Sequence, residues 1–384
     1  MTIGSANRVV LVHDWLTGMR GGEKCLEPAC LRWPDAPLFT LLHQAGSVSE
    51  SIERLEPQTS VLNRLPSVKR YYRYLLPAMP FAAKWKIPDC DLLLSFSHCV
   101  AKAAVPPPGV PHISYCFTPM RYAWHMQDAY FRRGQLGRLK AAAANVLLAR
   151  IREWDRRTAD RVTHFVAISR TIQNRIQECY DRPSVVIYPP VDTDFYTPAP
   201  VEREDYFLVV SALAPYKRFD LAVQACNQLG KKLIVIGAGQ DTKRLHRIAG
   251  PTVHFLGWQT DDVIRDHLRR CQALLFPGEE DFGIVPVEAQ ACGTPVIAFG
   301  RGGATETIDA LGESANPTGV FFHEQSVESL IEAVRRFEQE TGVFDPRAAR
   351  KNALAFRKER YEAKLFGLVE RVMNGDREQP RQAA

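Results

Sequence analysis

Short apolar runs alternate with helical stretches along most of this chain, and this alternation constrains its fold more than any other feature. In the first half the strand-like runs are Val9–Val12, Leu38–Leu42, Leu92–Ser95, His112–Cys116, His164–Ile168 and Ser184–Tyr188. The pattern restarts after a polar, proline-bearing stretch, with runs at Tyr206–Val210, Lys232–Gly237, Val253–Phe255, Ala273–Pro277 and Thr294–Phe299. Such alternation is typical of parallel sheets whose faces are covered by helices. We therefore predict an α/β protein of two Rossmann-like domains facing a cleft.

The length of 384 residues suits two domains of ordinary size, and we place their boundary at the polar stretch. Residues 1–192 would form the N-terminal domain and residues 193–384 the C-terminal domain. A helix at about 356–374 is expected to pack back on the first domain. The remaining predicted helices are Arg138–Arg157, Ser169–Tyr180 with Ser169 as its cap, Phe219–Leu229, Asp241–Ala249, Asp261–Cys271 and Val287–Cys292.

Composition excludes several classes of protein. The hydrophobic share of 46% and the charged share of 24% are ordinary for a globular domain, and the net charge of +6 is too small to indicate nucleic-acid binding. The nine cysteines are scattered without a C-x-x-C pair, which favours reduced thiols and no metal site. We expect no signal peptide, and no apolar run reaches the ~18 residues that a membrane span needs. The expected location is cytoplasmic, with peripheral contact to the inner face of the plasma membrane.

One segment, Pro277–Ile297, carries the most chemical information. Glu280 and Glu288 lie eight positions apart, with a turn at Gly283 between them and a short helical run around Glu288 that Gly293 can end. A helix start directs backbone N–H groups at a ligand, and the two carboxylates would reach its two ends. A nucleotide sugar has the matching chemistry, because hydroxyls flank its diphosphate.

Two further segments follow strands of the second half and should therefore lie on the same rim. Ser211–Arg218 ends in the adjacent cations Lys217 and Arg218, and Gly300–Glu306 is a glycine-rich turn. Cations, amides and carboxylates on one rim suit a phosphosugar. The separate motif Gly237-x-Gly239 lacks the third glycine of a dinucleotide fingerprint, since Thr242 occupies that position, which disfavours an NAD-dependent enzyme.

The order of these motifs resembles that of glycosyltransferase family 4, the retaining GT-B enzymes. More narrowly, the chain is similar to bacterial mannosyltransferases of O-antigen and exopolysaccharide assembly. The motifs that carry the resemblance are Ser97–Lys102, Thr118–Trp124, Tyr188–Asp192, Lys217-Arg218, Gly237-Ala-Gly239, Glu280–Glu288 and Gly302–Glu306. The likeness extends to about residue 370.

The resemblance implies a role for each matching residue. Glu280 would contact hydroxyls of the donor sugar, and Glu288 would accept hydrogen bonds from the ribose. Lys217, with Arg218, would neutralise the leaving diphosphate. The other implied donor-binding residues are Gly21, Gly22, Phe282, Gly283, Ile284, Gly303 and Glu306. His98 and His112 are the histidine candidates, and His98 is the one assigned to the catalytic set, beside Glu280 and Lys217.

The chain departs from the family pattern at two positions. Phe117 stands where many relatives have a histidine, and Ala212 stands where many have a second phosphate-binding arginine. The residues of the first half also admit simpler interpretations. Gly21-Gly22 can be a plain turn, Glu23 can open the next helix, and His13 with Asp14 can end the first strand and line the cleft.

The resemblance implies transfer of a hexose, mannose from GDP-mannose, to a polyprenyl-diphosphate-linked saccharide, with no cofactor. UDP-glucose or another donor remains an alternative, as does a sugar-nucleotide binding protein that lacks transfer activity. Two basic stretches, Lys69–Lys86 and Phe131–Arg157, interleave cations with aromatic residues. Such stretches suit an anionic membrane surface, although a solvated helix face would have the same composition.

Overall fold

A computed structural model describes residues 8–68, 71–124 and 138–375 of the chain. The chain forms two compact units. The first unit comprises Met1–Tyr188 together with Glu362–Ala384, and the second comprises Pro189–Tyr361. None of the described helices is long and apolar enough to cross a membrane.

The first unit is built on a seven-stranded parallel sheet in the order β3-β2-β1-β4-β5-β6-β7. Its strands are β1 (Val9–Leu16), β2 (Leu38–His43), β3 (Gln58–Thr59), β4 (Leu92–Ser97), β5 (His112–Cys116), β6 (His164–Ala167) and β7 (Ser184–Val186). Its helices are α1 (Gly21–Arg32), α2 (Glu50–Glu53), α3 (Met79–Ala82), α4 (Arg121–Trp124), α5 (Arg138–Ala159) and α6 (Arg170–Tyr180). Segments of 3-10 helix lie at Val61–Arg64, Tyr72–Ala78 and Ala101–Ala103.

The second unit repeats this plan with a six-stranded parallel sheet in the order β10-β9-β8-β11-β12-β13. Its strands are β8 (Phe207–Val210), β9 (Leu233–Ile236), β10 (Val253–Gly257), β11 (Leu274–Phe276), β12 (Val296–Phe299) and β13 (Gly319–Phe322). Its helices are α7 (Phe219–Leu229), α8 (Thr242–Ile248), α9 (Asp261–Arg270), α10 (Ile284–Ala291), α11 (Ala304–Thr307), α12 (Val327–Gln339) and α13 (Pro346–Ala353). The 3-10 turns are Pro215–Lys217, Thr341–Val343 and Leu354–Phe356, and α14 (Lys358–Met373) spans the boundary at Glu362.

The predicted alternation is confirmed, because the eleven predicted strands all form and both sheets are parallel. Their side chains are largely buried, as strands covered on both faces require. Ser169 caps α6 as predicted, with its Oγ accepting from the N–H of Ile172 at 3.1 Å. The prediction missed β3, β13 and α12, although Leu330, Ile331, Val334 and Phe337 give α12 a clear helical apolar stripe.

The first strand is longer than predicted. We expected it to end at Val12, whereas β1 continues through His13 and Asp14 to Leu16 with every residue buried. Gly21 and Gly22 form the first turn of α1, so they belong to a helix and not to the plain turn that the sequence also allowed. Glu23 does open that helix, since its Oε2 accepts from the N–H of Arg20 at 3.1 Å.

Candidate active site

In an open α/β sheet, ligands bind beyond the carboxyl ends of the strands at the point where the strand order reverses. In the second sheet this switch lies between β8 and β11, and in the first sheet between β1 and β4. The predicted residues follow these four strands. Lys217 follows β8 and Glu280 follows β11, while Gly21-Gly22 follow β1 and His98 follows β4.

Lys217 and Glu280 are in direct contact in the second unit. The Lys217 Nζ lies 2.5 Å from the Glu280 Oε1, with side-chain exposures of 10% and 21%. Gly278 permits this approach, because a Cβ there would lie 2.9 Å from the Lys217 Cα. An ion pair with this little solvent is screened only weakly by salt.

Arg218 has a different environment from Lys217. It adopts a left-handed backbone conformation with φ of +53° and precedes α7. Its Nε lies 3.3 Å from the Asp220 Oδ1, and Arg244 pairs with both Asp220 and Asp241. The two adjacent cations therefore pair with different carboxylates, and Lys217 is the one held at Glu280.

Glu288 lies on α10, as the sequence predicted, and is 6% exposed. Gly283 precedes the helix with φ of +87°, a conformation that favours glycine. The first-turn N–H groups of Ile284 and Val285 have no intrahelical acceptor, and Pro286 has no N–H. Burial raises the pKa of Tyr196, and the nearby charge of Glu288 raises it further. Glu288 is thus a buried carboxylate in the second turn of a helix whose amides are available to an anion.

The glycine-rich turn packs against the backbone of the Glu280 loop. The Gly303 N–H donates to the Glu280 carbonyl at 2.8 Å, and Gly302 forms a parallel bridge with Glu280. A Cβ on Gly303 would lie 2.3 Å from the Phe282 Cα. Gly303 therefore shapes the loop that carries Glu280 and Phe282, while Glu306 lies in α11, which begins immediately after it.

Gly237 and Gly239 have a similar packing function. A Cβ on Gly237 would lie 1.9 Å from the Ser211 carbonyl oxygen, and one on Gly239 would lie 2.3 Å from that of Leu213. These glycines let the loop after β9 lie directly on the loop that leads to Lys217. Ala212, where we expected a second cation in relatives, is exposed in this same loop.

His98 is fixed by Asp14 at the switch point of the first sheet. The His98 Nδ1 lies 3.1 Å from the Asp14 Oδ2, and the His98 side chain is 25% exposed. Asp14 also accepts four backbone N–H groups at 2.6 to 2.8 Å, those of His98, Cys99, Val100 and Ala101. Burial raises the pKa of Asp14, and these donors oppose that rise. Asp14 thus holds the turn that presents His98, and it does not end the strand as we had expected.

Gly22, His13 and Phe117 lie beside His98. The Phe117 ring is 6.2 Å from the His98 ring and 6.3 Å from the His13 ring. The His13 Nδ1 donates to the Trp15 carbonyl at 3.1 Å, because a carbonyl only accepts. Burial lowers the pKa of His13 to about 4, so its ring is neutral at neutral pH. A Cβ on Gly22 would lie 3.3 Å from the His13 Nε2, so a larger residue would require this ring to move by a few tenths of an ångström.

The two motifs Ser97–Lys102 and Thr118–Trp124 meet at one carboxylate, a relationship that sequence reasoning missed. The Lys102 Nζ lies 2.8 Å from the Asp155 Oδ1, and Trp124 Nε1 and Tyr180 OH each donate to the Asp155 Oδ2 at 2.8 Å. Lys102 and Asp155 are 1% and 0% exposed. These two motifs therefore contribute a buried polar network to the first unit.

Comparisons with known proteins cover almost the whole chain. The family model for "Glycosyltransferase Family 4" matches residues 9–195, and that for "Glycosyl transferases group 1" matches residues 192–355. An uncharacterized glycosyltransferase of Methanocaldococcus jannaschii is 29% identical over 164 residues, which are 40% of this chain and 46% of the relative. A GDP-mannose-dependent alpha-(1-6)-phosphatidylinositol monomannoside mannosyltransferase of Mycobacterium tuberculosis is 29% identical over 175 residues, 38% of this chain and 44% of the relative.

The chain thus matches less than half the length of these curated relatives. Among solved structures, Anabaena HepE in complex with UDP-glucose superposes with a TM-score of 0.66 at 18% identity. That match covers 94% of this chain and 99% of HepE. It extends the likeness in fold to both units.

Proposed function

Because this chain belongs to glycosyltransferase family 4 and has the GT-B fold, we propose that it is a retaining glycosyltransferase that takes a hexose from a nucleotide sugar. The observation that carries the proposal is the contact between Lys217 and Glu280 at the switch point of the second sheet. This contact places a cation and a carboxylate together where a parallel sheet binds its ligand. In this proposal the second unit holds the donor and the first unit holds the acceptor.

The proposed reaction depends on stabilising the negative charge of the leaving diphosphate, and we assign no side chain as a nucleophile. The bond between the anomeric carbon and the β-phosphate oxygen breaks, and negative charge develops on that oxygen. The acceptor hydroxyl oxygen bonds to the anomeric carbon, and its proton passes to the leaving diphosphate. Lys217 and the first-turn amides of α10 would stabilise this charge, so the proposal invokes no metal or other cofactor. Glu280 would accept from sugar hydroxyls, and Glu288 from the ribose. Gly21, Gly22 and His98 are assigned to the first unit's side of the reaction.

We propose mannose from GDP-mannose as the donor. The Mycobacterium tuberculosis relative, which is named for GDP-mannose, supports this choice. UDP-glucose is the second candidate donor, because Anabaena HepE has a similar fold and binds it. The proposed acceptor is a saccharide linked to polyprenyl diphosphate in the assembly of a cell-surface polysaccharide such as lipopolysaccharide.

The test is a transfer assay with the purified full chain. The protein is incubated with a polyprenyl-diphosphate saccharide and either GDP-mannose or UDP-glucose, and nucleoside diphosphate release and product mass are followed. We expect a product heavier by one hexose with GDP-mannose. A product with UDP-glucose alone would overturn the mannose assignment. Tight binding of a nucleoside diphosphate without transfer to any acceptor would identify a binding protein instead of an enzyme.

We also propose that the first unit rests on an anionic membrane. No acidic residue occurs from Pro57 to Pro88, a stretch that contains six cations. Within it, Val61 and Phe81 are 67% and 73% exposed. The exposed cations Arg64, Lys84 and Lys86 belong to the same stretch. Exposed apolar side chains with unopposed cations suit a bilayer interface that contains anionic lipid.

Part of the basic sequence lies outside the described residues, namely Lys69, Arg70 and residues 125–137, which include Arg132 and Arg133. The membrane proposal therefore depends on the described part of the Pro57–Pro88 stretch. Sedimentation with vesicles that contain phosphatidylglycerol should fall sharply when Arg64, Lys84 and Lys86 are all changed to Glu. Unchanged sedimentation of this variant, or equal binding of the wild type to neutral vesicles, would contradict the proposal.

A further inference from the structure

A hydrogen-bonded pair of side-chain amides, one buried and one half-buried, joins three helices of the second unit. Gln290 on α10 is fully buried, and its Nε2 donates to the carbonyls of Pro286 at 3.1 Å and Thr307 at 2.8 Å. Asn352 on α13 donates from its Nδ2 to the Gln290 Oε1 at 2.7 Å and to the Thr307 carbonyl at 2.9 Å. Every hydrogen of the two side-chain NH₂ groups thus has an acceptor.

The orientation of both amides is determined by this network. Turning the Gln290 amide over would direct its oxygen at two carbonyl oxygens, which cannot donate. The Thr307 carbonyl ends α11 and uses both of its lone pairs on these two side chains. Both NH₂ groups and the Gln290 Oε1 are paired in this network, so the loss of either side chain leaves a polar atom of the other without its partner.

The helices that meet here carry candidate donor-binding residues. Helix α10 carries Glu288, two residues before Gln290, and α11 carries Glu306, immediately before Thr307. Helix α13 carries none of the predicted site residues, yet it contacts α10 along its length. The Arg350 Nη1 donates to the carbonyls of Thr193 and Tyr196 at 2.7 Å and lies 3.3 Å from that of Ala291.

We propose that Gln290 and Asn352 are positioning residues that hold the Glu288 helix in register with the Gly302–Glu306 turn, so that α13 determines the geometry of the donor site without touching the donor. This inference rests on the proposed function, because it assigns the donor to these helices. Its physical basis is that α10 and α11 are both short. The Gln290 and Asn352 side chains connect the two helices by donating to the same carbonyl, that of Thr307. A small shift in a binding residue weakens donor binding when the donor must be held in one geometry.

The test uses Asn352→Asp, which preserves shape but directs a carboxylate at the Thr307 carbonyl and the Gln290 Oε1. Asn352→Ala is the second variant, and Lys351→Ala is the control because Lys351 is the exposed neighbour on α13. We expect the donor KM to rise about tenfold in both Asn352 variants, the scale of one lost buried hydrogen bond. The value of kcat should change much less, since no reacting atom is touched. In the combined Gln290→Met and Asn352→Ala variant, the rise in donor KM, taken as a free energy, should be smaller than the sum for the two single variants. The reason is that the two side chains act as one unit.

A second readout does not depend on activity. Backbone amide exchange should accelerate in residues 284–291 and 302–307 of the Asn352 variants, and remain unchanged in the first unit and in the Lys351→Ala control. Wild-type KM together with wild-type exchange in Asn352→Asp would overturn the inference. If the wild type binds no nucleoside diphosphate, the proposed function fails, and the exchange measurement still decides whether Asn352 holds the two segments together.

Discussion

Lys217 and Glu280 form an ion pair, with 2.5 Å between Nζ and Oε1, although 63 positions separate them in the chain. They follow β8 and β11, the two strands between which the order of the second sheet reverses. The sequence predicted a role for each residue separately and placed both on one rim of the second sheet. Their direct contact is a finding of the structure, and it makes the two residues one unit.

Replacing Glu280 should affect turnover more than nucleotide affinity. Glu280→Gln keeps the length of the side chain and removes the charge that meets the sugar in our proposal. We expect kcat to fall about 100-fold, the scale for losing one electrostatic contact to the reacting group, while calorimetry finds GDP affinity nearly unchanged. Glu279→Gln, at the exposed neighbouring carboxylate, is the matched control. Full transfer activity in Glu280→Gln would remove Glu280 from the catalytic set.

Replacing Lys217 should lower nucleotide affinity, the quantity that Glu280→Gln should leave nearly unchanged. Lys217→Met keeps an aliphatic stem but removes the cation assigned to the diphosphate and leaves Glu280 without its partner. We expect nucleoside diphosphate affinity to fall at least about tenfold, since charge-assisted hydrogen bonds are the strong ones. Lys231→Met, which breaks a surface pair with Glu338 in the same unit, is the control and should bind normally. Equal affinities of the two variants by calorimetry would show that Lys217 does not contact the diphosphate.

Breaking the buried pair of the first unit should lower stability. Asp155→Asn removes the charge that pairs with Lys102, both being almost fully buried. An uncompensated buried cation costs about 3 kcal/mol or more of the free energy of unfolding. Glu153→Gln, on the exposed face of α5, breaks only a surface pair with Arg157 and should cost under about 0.5 kcal/mol. Urea unfolding of both variants checks this, and similar midpoints would mean that the network contributes little.

The pH dependence of stability should carry a contribution from Glu23. Burial raises the pKa of Glu23 from 4.5 to about 7, while Arg20 opposes the rise. Between these values the unfolded chain releases the proton and the folded chain keeps it, so the contribution of Glu23 to stability falls as pH rises from 4.5 to about 7. The slope for one such group approaches about 1.4 kcal/mol per pH unit.

Glu23→Gln isolates that contribution. Glutamine can still accept from the Arg20 N–H but does not titrate. Its unfolding free energy, measured by urea titration at several pH values, should fall less steeply than that of the wild type over this range. Parallel curves for the two proteins would show that Glu23 is ionised in the folded state well below pH 7.

Local patterns predicted what depends on near neighbours. The alternation of apolar runs and helical stretches was enough for two parallel sheets, and Ser169 was recognisable as a helix cap from its position alone. The spacing of Glu280 and Glu288 around Gly283 identified a turn followed by a helix. Each of these features arises from backbone geometry within about ten residues, which a sequence displays directly.

Features that depend on residues distant in the chain could not be predicted from the sequence. The end of β1 was predicted too early because the polar residues His13 and Asp14 interrupt the apolar run. The backbone N–H groups of residues 98–101 satisfy the Asp14 carboxylate inside the strand. The roles of Lys102 and Asn352 likewise depend on acceptors brought from other helices. A buried polar group is stable only when its partners are in place, and the sequence does not show which distant residues those are. The sequence alone determined the two-sheet framework and the candidate residues. The tertiary structure alone decided which of them share a hydrogen bond or a charge.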